Sequence, residues 1–259
     1  MIRAPILAAL TLFAAAPTLP QSAASETSAP GPRSYPAIER IDWTYGAANS
    51  GETSHNQLRF SHEGSTSSFG ADEVPELVGE LAAASLASPG EAVSFALARE
   101  AGALACTGRV VAAGRAAGTC RFDPAEGYVA ELARCGLVPE DSKEVLVLTL
   151  VDGRIALVDG LMHLGYRFED TGDLIAVAAL DVTPAFAGGL RDAGLAIDEL
   201  DDLIAARALG IDAEWLGAMA HAGYPDLDVE QAIQMRALGV TPDYAQRMSR
   251  VMSALGEIQ

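Results

Sequence analysis

The chain has 259 residues, and its 35 Asp and Glu against 17 Lys and Arg give a formal net charge of −18 at pH 7. That length allows one large domain or two small ones, and a composition that is 50% hydrophobic is enough to bury a core. A chain this acidic is repelled by phosphate backbones and by anionic lipid surfaces, so neither nucleic acid nor a membrane surface is an expected partner.

The first 24 residues have the features of a bacterial export signal. Arg3 supplies a charged start, residues 4–16 form an apolar run, and Ser22–Ala24 places small residues at positions −3 and −1 of a cleavage site. The apolar run is short for a membrane span. We therefore predict a signal peptide over residues 1–24 and a periplasmic or secreted protein with no stable membrane insertion after cleavage. An uncleaved anchor helix is the alternative. Residues 25–37 are rich in Ser and Pro, which predicts a disordered linker.

Residues 38–122 carry the period-two pattern of β-strands. In "NQLRFSH", Leu58 and Phe60 fall on one face, and in "AVSFALARE" the apolar residues Val93, Phe95 and Leu97 alternate with small or polar ones. The segment "DEVPELVGELAAAS", which begins at residue 72, is expected to form a short helix. We predict a small antiparallel β domain over 38–122.

The three cysteines of the chain allow one disulfide and one remaining thiol in an oxidising compartment. Cys106 and Cys120 lie about equally far from a turn near Ala113, and residues placed so face each other across a hairpin. We predict a Cys106–Cys120 disulfide, with two free buried thiols as the alternative. Cys135 takes the place of a packed apolar residue in the helical pattern described next, which indicates a structural thiol.

From Asp123 onward the pattern becomes helical and repeats. The similar segments "DVTPAFAGGLRDAGL", "GIDAEWLGAMAHAGY" and "GVTPDYAQRMSRVMS" begin at Asp181, Gly210 and Gly239, so the pattern has a period of 29. Large apolar residues recur at the same interval. They are Tyr128, Leu157, Phe186, Trp215 and Tyr244. We predict helical repeats of period 29 over residues 123–259.

Each repeat is predicted to be a hairpin of two helices. The first helix begins at a cap such as Thr183, with Pro184 in the first helical position, and ends at a recurring glycine. One such hairpin cannot bury its apolar stripe alone, so neighbouring hairpins must stack. The recurring aromatic residues are at helical spacing and are therefore expected in the core.

Several polar residues of the repeats look like site residues, but their positions predict structural roles. His221 occupies a position that other copies fill with Arg or Asp, which indicates a solvated surface. The D-x-D pair Asp226 and Asp228 lacks the further oxygens of a calcium loop, and Asp228 with a glutamine three residues later indicates a helix cap. Arg207 and Arg236 are equivalent positions, and we expect surface salt bridges from both.

No catalytic motif is present in the sequence. It lacks H-E-x-x-H, G-x-S-x-G, a phosphate-binding loop and C-x-x-C, and His55 and His62 have no metal-ligand spacing. We therefore predict no catalytic, cofactor-binding or metal-binding residues, no cofactor and no enzyme activity.

The phrases "GVTPDYAQRM", "DVTPAFAGGLRDAGL" and "LDDLIAARALGI" resemble the extracytoplasmic tails of some BlaR/MecR-type antirepressor sensor-peptidases, and some stand-alone secreted bacterial proteins. The segment "AVSFALAREAGALACTGRVVAAGRAAGTCRF" resembles the part that precedes such repeats. The resemblance implies an exported module for sensing or protein contact. The membrane domain and the zinc-binding H-E-x-x-H helix are missing from this sequence, so peptidase activity does not carry over.

The combined expectation is an α+β protein, with a small antiparallel sheet domain followed by an all-α helical-hairpin repeat array. Residues 123–259 carry 24 Asp and Glu against 9 Lys and Arg, which favours a basic protein partner. The first hypothesis is a non-enzymatic interaction or sensing module that uses this acidic surface. The alternatives are a ligand-binding sensor at the junction of sheet and repeats, and an enzyme or hydrolase inhibitor with its site in the β domain.

Overall fold

The computed structural model describes residues 33–47, 56–70, 77, 81 and 86–256, with side chains as far as residue 251. From Tyr35 onward the chain forms one compact unit. The predicted signal peptide (1–24), residues 25–32 of the predicted linker and His55 lie outside the described residues. So does most of the helix expected after residue 72, of which Leu77 and Leu81 are described as helical and buried.

Six strands form one antiparallel sheet, in the spatial order β3-β2-β1-β6-β5-β4. The strands are β1 (Ile38–Ala47), β2 (Asn56–His62), β3 (Ser65–Phe69), β4 (Ala92–Arg99), β5 (Gly102–Ala112) and β6 (Arg115–Pro124). Along β4 burial alternates strictly, with Val93, Phe95 and Leu97 buried and their neighbours exposed. The period-two pattern therefore follows directly from a sheet with one buried face and one solvated face.

Nine helices follow within the described residues. They are α1 (Glu126–Arg134), α2 (Ser142–Leu150), α3 (Ile155–His163), α4 (Thr171–Ala179), α5 (Pro184–Asp192), α6 (Leu200–Ala208), α7 (Ala213–His221), α8 (Val229–Ala237) and α9 (Pro242–Gly256). The sheet followed by helices confirms the predicted α+β fold class.

The helices recur at a constant interval along the chain. The odd-numbered helices begin at residues 126, 155, 184, 213 and 242, and the even-numbered ones at 142, 171, 200 and 229, so each series has a period of 29. The first eight helices have nine residues each, and α9 has 15. Two nine-residue helices joined by short turns are too short to fill a period of 29 residues. The connections between helices are correspondingly longer than expected.

The residues that follow the helices have left-handed backbone conformations at equivalent positions of successive helices. Gly223 has φ of 102° after α7, and the N–H of Tyr224 donates to the carbonyl O of Met219, which closes the last turn. After the even-numbered helices, Gly210 and Gly239 hold this conformation, whereas the earlier copies use Asp152 and Asp181, with φ of 59° and 53°. Aspartate is one of the few side chains that tolerates this region.

Trp43 organises the buried face of the sheet. Its ring is 1% exposed, its Nε1 donates to the carbonyl O of Thr107 at 3.2 Å, and it meets Phe95 edge-on at 4.9 Å between ring centroids. The neighbouring positions on β6 and β5 are Gly118 and Gly108, and a Cβ added at Gly108 would come within 2.6 Å of the indole. Glycine is required at both positions because a Cβ at Gly108 would also come within 2.3 Å of the carbonyl O of Ala117, and one at Gly118 within 2.0 Å of the carbonyl O of Thr107.

Cys106 and Cys120 are directly paired on β5 and β6. Their Cα atoms are 4.0 Å apart, their sulfur atoms are at disulfide distance, and both residues are buried. This pair is the predicted one, and Cys135 is the free thiol among the described cysteines.

Two side chains at the turn between β4 and β5 form hydrogen bonds to the ends of α2 and α3. At the end of β4, the Arg99 guanidinium donates to the carbonyl oxygens of Thr149 and Leu150 at the C-terminus of α2, at 3.0 and 2.7 Å. The next residue, Glu100, accepts from the N–H of Ile155 at the N-terminus of α3, at 3.0 Å. Each side chain carries the charge that the helix dipole favours at that end. Since α2 also packs on β5 and β6, sheet and helices are joined directly.

We expect Glu100→Ala to destabilise the protein by about 1 kcal/mol, because α3 begins without a side-chain cap from its own N-cap residue, Arg154. Chemical unfolding of the purified protein measures this. Glu91→Ala is the matched control, since Glu91 is an exposed glutamate at the start of β4. Equal unfolding free energies for the two variants would show that the Glu100 contact does not stabilise α3.

Candidate functional site

The N-termini of the even-numbered helices carry a series of acidic residues, which we call the acidic ridge. Their N-cap residues are Asp141, Asp170, Glu199 and Asp228, which recur with the same period as the helices. Further acids lie within three residues of these caps. They are Glu140, Glu144, Glu169, Asp173, Asp198, Asp201, Asp202, Asp226 and Glu230. The recurring chain geometry thus places equivalent carboxylates on successive helices.

Direct contacts join neighbouring helices of this series. The hydroxyl of Thr171 on α4 donates to the carboxylate of Glu144 on α2, at 2.6 Å. Arg207 on α6 donates to the carbonyl O of Leu180 after α4, and Arg236 on α8 to that of Leu209 after α6. Contacts of this kind join each even-numbered helix to the next, and each of these helices carries acidic residues at its N-terminus.

Part of the acidic ridge stabilises the helices themselves. Asp141 accepts from the N–H groups of Lys143 and Glu144, and Asp228 forms a reciprocal capping box with Gln231. These are the caps that a helix dipole favours. The capping role predicted for Asp228 is confirmed.

In the central part of the acidic ridge, at the N-terminus of α6, the N-cap carboxylate does not take part in helix capping. Glu199 makes no capping hydrogen bond at the start of α6, and Asp198, Glu199 and Asp201 are all exposed. Two bases of the helical region pair with acids outside the acidic ridge: Arg154 with Asp152 and Arg207 with Asp181. A strongly negative surface therefore remains at α6.

The surface salt bridge that the sequence predicts is confirmed for Arg207, and both Arg207 and Arg236 also make contacts that the sequence did not predict. Arg207 does pair with Asp181 at 3.3 Å, but both guanidinium groups also cap a preceding helix, as described above. Each lies over an aromatic ring of the intervening helix, at 5.0 Å from Phe186 and 5.7 Å from Trp215. In the sequence, Arg207 and Arg236 are separated by the same 29 residues as Phe186 and Trp215, and this shared period could have indicated that each arginine contacts an aromatic residue.

Most of the recurring aromatic residues lie in the core, as predicted. Tyr128 and Trp215 are buried and Phe186 packs against the core. The prediction is wrong for Tyr244, which is 49% exposed. His221 is exposed on the surface, as predicted, with its Nδ1 at 2.6 Å from the carbonyl O of Gly217.

A small cleft lies where the sheet meets α2, and it contains His62. Apolar side chains form most of the cleft, including Phe60 and Leu150. The His62 Nδ1 is 2.9 Å from the carbonyl O of Arg40. At the rim, Lys143 and Glu63 form an ion pair at 2.8 Å, and this hydrogen bond lowers the pKa of Glu63 and raises that of Lys143.

The size of this cleft decides what it can hold. Its volume is about 50 Å³, whereas pockets for small-molecule ligands are on the order of 300–1,000 Å³. The cleft therefore has room for a few water molecules. A histidine beside a carboxylate is present, but an organic substrate does not fit between them in this conformation.

A second depression lies on the solvated face of the sheet, above Gly108 and Gly118. Its volume is about 490 Å³, and its lining includes Thr107, Arg109 and Thr119. It is an open groove between rows of side chains, so it offers little enclosure to a ligand.

The remaining titratable groups near these features have structural surroundings. Burial raises the pKa of Tyr128, whose hydroxyl donates to the carbonyl O of Gly153. Burial also raises the pKa of the Cys135 thiol, as does the nearby Asp159 carboxylate. A raised pKa disfavours the nucleophilic thiolate, which agrees with a packing role for Cys135.

Within the described residues, no group of three or more His, Cys, Asp or Glu side chains is placed to hold a metal ion. In that same part of the chain, no single helix is long and apolar enough to cross a membrane. Together, α4 and α5 would meet the requirement by length and composition, with a bend of 71° between them.

Comparisons with protein-family models, with curated proteins and with solved structures give no match to this chain.

Proposed function

We propose that this protein is an exported, non-enzymatic interaction module that binds a basic protein partner through the acidic ridge. The observation that carries the proposal is the repeated placement of carboxylates at the N-termini of α2, α4, α6 and α8. A regular array of predominantly negative charge attracts a partner with complementary basic residues and speeds their encounter.

Charge and geometry support this function over the ligand sensor. The helical region has 24 acids against 9 bases, and the array presents them on an extended surface of the kind that repeat proteins use for binding. The junction cleft, in contrast, is too small for a typical ligand. The cysteine pair at disulfide distance is compatible with an oxidising, exported location.

The test neutralises the acidic residues at the N-terminus of α6, where the N-cap residue makes no capping hydrogen bond. We expect the variant Asp198→Asn, Glu199→Gln, Asp201→Asn to capture basic proteins from periplasmic extract about tenfold more weakly than the wild type at low salt. Glu199 makes no capping hydrogen bond, so α6 keeps its start. Quantitative mass spectrometry of the captured proteins, eluted with increasing salt, gives the measurement.

The matched control removes three charges from the odd-numbered helices instead, as Glu126→Gln, Asp192→Asn and Glu214→Gln. These three acids are also exposed, so total charge changes equally in the two variants. We expect the control to capture the same basic proteins as the wild type. Equal losses in both variants would show that net charge alone acts, and captured proteins that are mainly acidic would contradict the proposal.

A further inference from the structure

Helix α9, the last helix among the described residues, carries an exposed apolar surface. Seven large hydrophobic side chains are exposed among the described residues, and four of them lie between residues 238 and 251. We call these four the end face: Leu238, Tyr244, Met248 and Val251. The last three follow the spacing i, i+4, i+7, so they lie on one side of α9.

The same positions one repeat earlier are covered. They are Leu209, Trp215, Met219 and Ala222. Trp215, Met219 and Ala222 are 7%, 0% and 5% exposed, and Leu209 packs against the core. Part of their cover comes from α8, where Arg236 donates to the carbonyl O of Leu209 and lies over the Trp215 ring. The end face is thus the continuation of an interface that helices of this chain already form.

The opposite end of the array is already covered by the sheet. There, α2 packs on β5 and β6, and the Arg99–Glu100 turn caps α2 and α3. Head-to-tail stacking of chains would need a free helical face at that end. A single free face is compatible with a closed pair, in which the same surface of both copies meets across a two-fold axis.

We propose that the end face is a dimer contact whose occupant is a second copy of this chain, with the two α9 helices antiparallel across a two-fold axis. In that arrangement Tyr244 meets the partner's Val251, and Met248 lies near the axis. One pair of opposite charges agrees with this arrangement, because Asp243 at the start of the helix comes beside the partner's Arg250 near its end. This contact is separate from the acidic ridge and goes beyond the proposed function.

Light scattering after gel filtration of the purified protein tests the dimer, between about 1 and 100 µM, where a small interface is expected to dissociate. We expect a concentration-dependent dimer, and Met248→Glu to raise its dissociation constant more than about tenfold, since the change buries a charge. Met162→Glu is the matched control, because Met162 is similarly exposed on α3, at 44% against 41%. A wild type that stays monomeric throughout overturns the proposal, as does equal weakening by both variants.

Crosslinking then tests the two-fold geometry. In a Cys135→Ser background, we expect Met248→Cys to form a covalent dimer on mild oxidation and Met162→Cys to form none. Charge reversal by Asp243→Arg should weaken the dimer, and the additional change Arg250→Asp should restore it. Failure of the 248 crosslink while light scattering still shows a dimer would place the contact elsewhere and overturn the proposal. None of these outcomes depends on the capture of a basic partner.

Discussion

Replacing Trp43 with alanine is expected to destabilise the protein by about 3–5 kcal/mol, the range for deleting a large buried aromatic side chain. Trp43 is 1% exposed, contacts Phe95 edge-on and donates to Thr107. The two glycines opposite the ring, Gly108 and Gly118, supply no side chains to fill the space left behind. Urea unfolding, followed by circular dichroism, measures the change.

Trp43→Phe is the companion variant and should lose less, because the ring against Phe95 is kept while the hydrogen bond to Thr107 and part of the volume are lost. Gly108→Ala examines the same contact from the other side, since its Cβ would approach the indole to 2.6 Å, in addition to a backbone contact with the carbonyl O of Ala117 at 2.3 Å that is the same with or without Trp43. We expect Gly108→Ala to be destabilising in the wild type and less so together with Trp43→Ala. Strictly additive effects of the two changes would contradict a direct contact.

Removing the disulfide is expected to cost about 3 kcal/mol. Cys106 and Cys120 are 14 residues apart in sequence. A disulfide that closes a loop of this length lowers the conformational entropy of the unfolded chain and thereby stabilises the folded state by about 3 kcal/mol. Both cysteines are on the buried face of the sheet, so alanine at both positions also loses packing. Urea unfolding of Cys106→Ala, Cys120→Ala should therefore occur at a clearly lower midpoint.

Cys135→Ala is the control for this experiment, and we expect little change because Cys135 is only partly buried and its thiol is free. Mass spectrometry of the non-reduced protein gives an independent test. It should find a peptide that links Cys106 with Cys120, while Cys135 reacts with an alkylating reagent after unfolding. A bridge from Cys135 to either of the other two would contradict the pairing.

The sequence by itself was sufficient for the features that depend on local periodicity. Alternation along β4 predicted a strand with one buried face, and the spacing of Thr183, Pro184 and the recurring glycines predicted helix boundaries to within a few residues. The cysteine pairing followed from the same kind of argument, because residues equidistant from a hairpin turn face each other. Each of these depends on neighbours near in sequence, whose geometry the backbone restricts.

The tertiary structure decided what depends on contacts between distant segments. Nothing in the local sequence distinguishes Arg99 and Glu100, whose contacts are with the ends of α2 and α3, about 50 residues further along the chain. The size of the junction cleft likewise depends on how closely α2 approaches the sheet. Tyr244 shows the same limit most clearly: its position in the repeat is that of a core residue, yet a side chain is buried only when another segment covers it. Local pattern determines which face of a helix is apolar, and the packing of the whole array determines whether that face is covered.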